Sequence, residues 1–196
     1  MATPRRMPGP PLAAGDTCAA ASHALSPVAC RPLLCRVLTG EQAMSLSILE
    51  QRRIEAAFAQ GIWEEMKEAL GPEQAKAILS RAIIRLARQA GADMAAESAD
   101  GPSLGHFISL QPRWTKGDAL EIEVLRADGT HFDFNVRRCR YAEMYKAMGL
   151  AELGAVLSCN RDGAFCEGYD PKLKLTRTQT IMGGATHCDF RYRQEA

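Results

Sequence analysis

The hydrophobic period of this chain changes partway along, and that change limits what it can fold into. Between residues 46 and 90 apolar side chains recur about every fourth position. The rows are Ile54, Phe58, Ile62, Met66 and Leu70, then Leu79, Ile83, Leu86 and Ala90. Each row implies a helix with one apolar stripe. From residue 120 the period is two. Leu120, Ile122 and Val124 alternate with Glu121 and Glu123, and Phe132, Phe134 and Val136 alternate with Asp133, Asn135 and Arg137. That alternation marks strands with one buried face. Helices followed by antiparallel hairpins make an α+β domain. The economical packing is a sheet of about four or five antiparallel strands with helices on one face.

Turn residues set the boundaries. Gly71 suits a helix stop and Pro72 a helix start, so helices are expected over 46–70 and 73–90, antiparallel across a short turn. Gly91 is expected to end or loosen the second helix, and Asp100-Gly101-Pro102-Ser103 to be a loop. His106 to Leu110 is expected to add a weaker strand. Ala127-Asp128-Gly129-Thr130 joins the two alternating runs, with the Asp-Gly pair supplying the positive backbone angles of a tight hairpin. Tyr141 to Gly149 and Ala151 to Leu157 read as short helices. Lys172 to Thr180 then alternates, placing Leu173, Leu175 and Arg177 on one face. After a turn at Gly183 and Gly184, the strand His187 to Arg193 puts Cys188, Phe190 and Tyr192 inward. His187, Asp189, Arg191 and Arg193 face the other way.

Residues 1–43 stand apart. Pro4, Pro8, Pro10, Pro11, Pro27 and Pro32 break any helix there. The segment reads as a disordered or mis-started extension ahead of a single domain over 44–196, because the helical pattern begins at Met44. An arginine-bearing, acid-poor start is also the pattern of an organelle transit peptide. Cys18, Cys30 and Cys35 are therefore left out of the site. The formal charge of the 196 residues is +1, without a basic stripe, which argues against nucleic acid as a partner. No apolar run approaches the roughly 18 residues of a membrane-spanning helix. Seven cysteines, an odd count without framework spacing, read as reduced thiols of a cytoplasmic protein.

Groups able to do chemistry concentrate between Ser158 and Arg193. Cys159 is the candidate nucleophile, provided that Arg161 or a nearby helix start lowers its pKa. Asp162 can shuttle a proton, and Cys188 supplies a second thiol. Arg177 suits a substrate carboxylate, Thr180 a hydrogen bond to substrate, and Asp189 the orientation of His187 or an arginine. Simpler readings stand beside these. A free cysteine is more often a small buried hydrophobe. Asp162 suits a helix cap, and Arg177 a buried ion pair. Asp189 shares a pocket with Cys188 only if the strand bulges. Cys159, Cys166, His187 and Cys188 are zinc-ligand types at unsuitable spacing, so neither metal nor cofactor is expected. There is no phosphate-binding glycine loop and no Gly-x-Ser-x-Gly elbow.

Several of these residues carry a likeness. Cys159 and Asp162, the Gly-x-x-Pro stretch from Gly168 to Pro171, Arg177 and Thr180, and the ending Gly184-x-x-x-Cys188-Asp189-Phe190 resemble the L-2-amino-thiazoline-4-carboxylic acid hydrolase family. The likeness runs from about Met44 to the C-terminus and is specific over 157–192. It implies a hydrolase acting on a C–N bond of a cyclic amidine, opening it to S-carbamoyl-L-cysteine or a related product. The arrangement also resembles small-ligand domains of the vinyl-reductase and TRAPP types, which bind without necessarily reacting. A non-catalytic binding module is thus the rival to an enzyme of small-molecule metabolism. An accessory subunit is the third reading, marked by an unpaired apolar helix face, and homo-oligomer formation stays open.

Overall fold

The computed structural model describes residues 46–195, so the expectations for 1–43 and the cysteines there lie outside the described residues. Helix α1 (Ile48–Leu70) begins at Ser47, whose hydroxyl accepts the Glu50 N–H at 3.2 Å. Gly71, at φ 81°, turns the chain, and Pro72 opens α2 (Pro72–Ala95).

Both helices were expected, but their inner faces differ from the apolar rows. Trp63 is 2 % exposed, whereas Ile54 is 53 % and Phe58 74 % exposed. The reason is geometric. At about 100° per residue, a row of every fourth residue drifts by about 40° at each step. Trp63 therefore lies about 180° around the helix from Ile54. The face that packs inward carries Ala56 and Trp63, and the start of the apolar row faces solvent. In α2 the inner row is Ala75, Leu79, Ile83, Ala87 and Gly91, while Leu86 is exposed.

Gly91 does not end α2. It lies where α2 crosses α7 (Asn160–Tyr169) at backbone contact. A β-carbon on Gly91 would come within 2.2 Å of the Phe165 carbonyl oxygen, and one on Gly168 within 1.9 Å of the Arg88 carbonyl oxygen.

The expected weak strand at 106–110 is a helix, α3 (Leu104–Ser109). Ser103 caps it by accepting the His106 N–H at 3.2 Å, and its three-residue spacing buries Leu104 and Phe107 together. A short α4 follows (Pro112–Thr115). Strands β1 (Leu120–Ala127) and β2 (His131–Cys139) form the expected hairpin by a different device. Gly129 is not among the residues of positive φ. Instead the Asp128 carboxylate accepts the N–H groups of Thr130 and His131, each at 2.9 Å, and lowers its own pKa thereby.

After α5 (Arg140–Ala147), helix α6 (Ala151–Gly154) continues through one π-turn (Ala155–Cys159) directly into α7. Strand β3 (Leu173–Thr176) is shorter than expected, leaving Arg177 and Thr180 beyond it, and β4 (Cys188–Gln194) closes the sheet. The four strands are antiparallel in the order β1-β2-β4-β3, an α+β architecture. Phe134 sits opposite Phe190 and Val136 opposite Cys188, so the inward faces of β2 and β4 form one surface. Two apolar clusters result. One joins that surface to α3 and α7, the other joins α1 and α2 to α5 and α6, and Leu120 and Cys139 touch both. Among the described residues no helix is long and apolar enough to cross a membrane.

The crossing at Gly91 and Gly168 has a measurable consequence. Gly168→Ala forces a methyl group onto backbone, an overpacking cost of about 1–3 kcal/mol. The expected fall in melting temperature is about 3–10 °C for a domain of this size. Gly163→Ala, on the same helix but with nothing near a new β-carbon, should be neutral or stabilising. Equal melting temperatures for the two variants would mean that the helices do not touch there.

Candidate active site

The cavity lies where the two apolar clusters meet. It holds about 130 Å³ and is walled on the sheet side by Phe134, Phe190 and Tyr192. Phe134 and Phe190 stack at 4.9 Å with an interplanar angle of 11°. Ala87 and Ala90 of α2 and Trp114 of α4 close other sides.

Cys159, Asp162, Arg177 and Cys188 all line this cavity. Each arrives by a different route. Cys188 is the first residue of β4 and faces inward with Phe190, as alternation requires. Cys159 closes the π-turn, and Asp162 follows within the first turn of α7. A π-turn inserted in a helix commonly marks a functional site. Arg177, just past β3, points inward, with its guanidinium carbon 5.1 Å from the Phe190 ring centre. Its Nη1 donates to Asp162 Oδ2, and its Nη2 donates to the Cys159 carbonyl oxygen at 3.0 Å. The arginine is thereby committed to the protein and not left as the free carboxylate clamp expected of it.

Two other expected residues lie outside the cavity lining. Asp189 is on the opposite face of β4, and no bulge in its pairing turns it inward. Its carboxylate accepts from the Thr178 N–H at 3.0 Å, the Thr178 hydroxyl at 2.6 Å and the Gln179 N–H at 2.8 Å. Partial burial pulls its pKa up, but these bonds prevail and hold it below the usual carboxylate value. Asp189 thus anchors the segment after β3. Thr180 caps a turn, its hydroxyl accepting the Gly183 N–H at 3.0 Å. Neither residue is placed to meet a substrate in this cavity. His187 packs beside Gln179 and does not line the cavity, and among the described residues no group of three or more His, Cys, Asp or Glu side chains is arranged to hold a metal ion.

The electrostatics differ from the expectation for a thiolate. No helix starts at Cys159, because α6, the π-turn and α7 are continuous. Burial, and then the charge of Asp162, push the Cys159 thiol up to about 12, against the opposing pull of Arg177. Burial likewise raises Cys139 to about 11 and raises Cys188. All three thiols are therefore protonated at neutral pH. Asp162 is 33 % exposed by side-chain surface and lines the cavity. Burial raises its pKa above the usual carboxylate value although Arg177, Arg161 and Arg52 all pull it down. A carboxyl raised in this way is suited to donate a proton.

Sequence reasoning missed Arg52 and Cys139, and gave Arg161 a role only beside the thiol; all three line the cavity. A wheel centred on Trp63 finds Arg52, since these two share a face of α1. Cys139 ends β2 and caps α5, its sulfur accepting the Ala142 N–H at 3.4 Å.

A family model described as L-2-amino-thiazoline-4-carboxylic acid hydrolase matches residues 51–192. None of the curated proteins matches the chain. Among solved structures, the crystal structure of the phenol-responsive sensory domain of the transcription activator PoxR with phenol is similar at 15% identity and a TM-score of 0.45. The match covers 70% of this chain and 73% of that one.

Two measurements check the electrostatics. At neutral pH, alkylation of Cys159 by iodoacetamide, followed by peptide mapping, should run about a hundred-fold slower than that of an unperturbed cysteine and rise steeply with pH. Fast labelling at neutral pH would show that the thiol is not held up. The second concerns Asp162. The folded protein keeps this proton to a higher pH than the unfolded chain does. The stability it contributes is present below the unfolded value, about 3.9, and is lost as pH rises through the folded value. Asp162→Asn has no such loss. The melting temperature of the variant relative to wild type should therefore climb from about pH 4 toward neutrality, and a constant difference would contradict the raised carboxyl.

Proposed function

The chain belongs to the L-2-amino-thiazoline-4-carboxylic acid hydrolase family, and from that premise we propose that it opens a small cyclic amidine by hydrolysis of a ring C–N bond. The substrate is 2-amino-thiazoline-4-carboxylate or a close relative. What supports the reading most is the convergence of Cys159 and Asp162, neighbours on one helical run, with Cys188 of β4, distant from them in sequence, on one small cavity.

The electrophile is the carbon between ring nitrogen and ring sulfur. Addition of water places an oxygen on that carbon; in the covalent route the Cys159 sulfur adds first, and water then displaces it, the carbon–sulfur bond to Cys159 breaking and the sulfur taking back a proton. The ring C–N bond then breaks, and its electron pair leaves with nitrogen, which takes a proton to become an amine. Asp162 is assigned to deliver that proton, a role worth typically about 10²- to 10⁴-fold in rate. Arg177 holds Asp162 in place and balances its charge once the proton has gone. Cys159 is protonated at rest, so its nucleophilic role depends on the substrate. A cationic amidinium beside the thiol favours the thiolate, as any near opposite charge does. Cys188 is a second thiol lining the same cavity. The free thiols among the described residues fit a reducing compartment.

A second reading has its own observation. The thiols are protonated at rest and aromatic rings wall much of the cavity, which is all that a non-catalytic binding domain requires.

Turnover decides between them. The full chain incubated with 2-amino-thiazoline-4-carboxylate should yield a ring-opened thiocarbamate by mass spectrometry. Asp162→Asn should lower kcat by about 10²- to 10⁴-fold, and Cys159→Ser should abolish turnover if the sulfur adds. Binding without turnover across a panel of small cyclic amidines would favour the binding module.

A further inference from the structure

The cavity has a second basic group that the reaction does not use. Arg52 of α1 and Arg161 of α7 both line it, with side chains only 16 % and 12 % exposed. They converge on one carboxylate. Arg52 Nη1 donates to both oxygens of Glu55, at 2.7 and 2.8 Å, and Arg161 Nη2 donates to Glu55 Oε2 at 2.8 Å. The remaining bond of Arg161 runs from Nε to the Leu157 carbonyl oxygen at 2.8 Å. Among the described residues, Arg52 Nε and Nη2 and Arg161 Nη1 have no hydrogen-bond partner, yet none of them is among the sealed, partnerless atoms. Glu55 itself is exposed and does not line the cavity.

The balance of charge gives the same picture. Apart from the Arg177–Asp162 pair, Arg52 and Arg161 share the single carboxylate of Glu55 between them. One positive charge is left over beside a largely apolar space. Burial and the charge of Arg52 together weaken the hold of Arg161 on its proton, the signature of two cations kept closer than they would choose. Planar guanidinium groups with free edge donors are the side-chain partners best suited to a carboxylate.

We infer that Arg52 and Arg161 form the anion-binding end of this cavity and select ligands that carry a carboxylate on a small planar ring. The carboxylate takes the free guanidinium donors, and the ring lies against Phe134 and Phe190 toward Cys159 and Asp162. This extends the hydrolase reading of the same cavity and rests on it only for the identity of the acid.

Ligand binding tests the inference without any need for turnover. Benzoate and its neutral amide, benzamide, are titrated into the full chain by calorimetry. Benzoate should bind at least about ten-fold more tightly than benzamide, as a hydrogen bond to a charged group implies. Arg52→Met should weaken benzoate binding by about ten- to hundred-fold and leave benzamide within about two-fold. Glu55→Gln removes the competing carboxylate at an exposed position and should tighten benzoate binding by roughly two- to five-fold. This opposite sign is one that mere destabilisation cannot produce, and it keeps the test decisive should Arg52→Met fail to fold. Equal affinity for acid and amide, absence of benzoate binding, or weaker binding in Glu55→Gln would each overturn the inference. Preference for the acid with no turnover of any cyclic amidine would instead sink the hydrolase reading and leave this one standing.

Discussion

The backbone contact between α2 and α7 determines where the cavity and its polar groups sit. Two glycines, Gly91 and Gly168, let the helices approach until carbonyl oxygens lie where β-carbons would be. The approach sets the position of α7 over the sheet, and α7 carries Arg161, Asp162 and Phe165 to the cavity. Glycine costs about 1 kcal/mol relative to alanine within a helix, so two of them in packed helices imply a gain from close approach. That gain is a helix pressed flat enough for a residue beyond β3 to reach across to it.

Arg177 makes that reach and couples the thiols to the helix. Its guanidinium bridges the carboxylate of Asp162 and the main chain of Cys159, above the Phe190 ring. A buried pair of this kind gains little net stability, because desolvation offsets the attraction. Its effect is on charge. Asp162 raises the thiol of Cys159, Arg177 lowers it, and burial outweighs both. The thiols of the site are therefore protonated at rest. A reaction that ends with an amine leaving group asks for a proton donor, whereas one that begins with a thiolate must draw the charge from its substrate.

Much of this was legible in the sequence, for reasons that differ by residue. Alternation placed Cys188 inward and Asp189 outward because strand periodicity is two and β4 has no bulge in its pairing. The hairpin was legible although its device was not: an Asp-Gly pair also suits a turn in which the aspartate side chain accepts the backbone N–H groups. Over 104–109 a short apolar run also suits a strand, and the Ser103 cap is what decides for a helix. Gly91 reads as a helix stop in sequence because a glycine at a helix crossing and a glycine at a helix end look alike until the partner helix is known. Arg177 was expected to face inward and does. Its partner is protein and not ligand, and only the position of α7 could reveal that.

Helix α1 shows why the anion-binding end stayed hidden. Its inward face carries Arg52 and a tryptophan whose Nε1 is buried without a partner, while Phe58 and Ile54 point outward. Folding stability alone would arrange these residues the other way round, with phenylalanine inside and arginine outside. A reading that assigns the most apolar row to the core is therefore misled on this helix, and misled in an informative direction. Places where local preference and global packing disagree tend to be functional. Arg52 is costly to bury beside Arg161, and Glu55 offsets only part of that cost. A bound carboxylate would supply the missing negative charge. The inverted face of α1 is thus what a binding site asks of a scaffold helix and what a folding core does not.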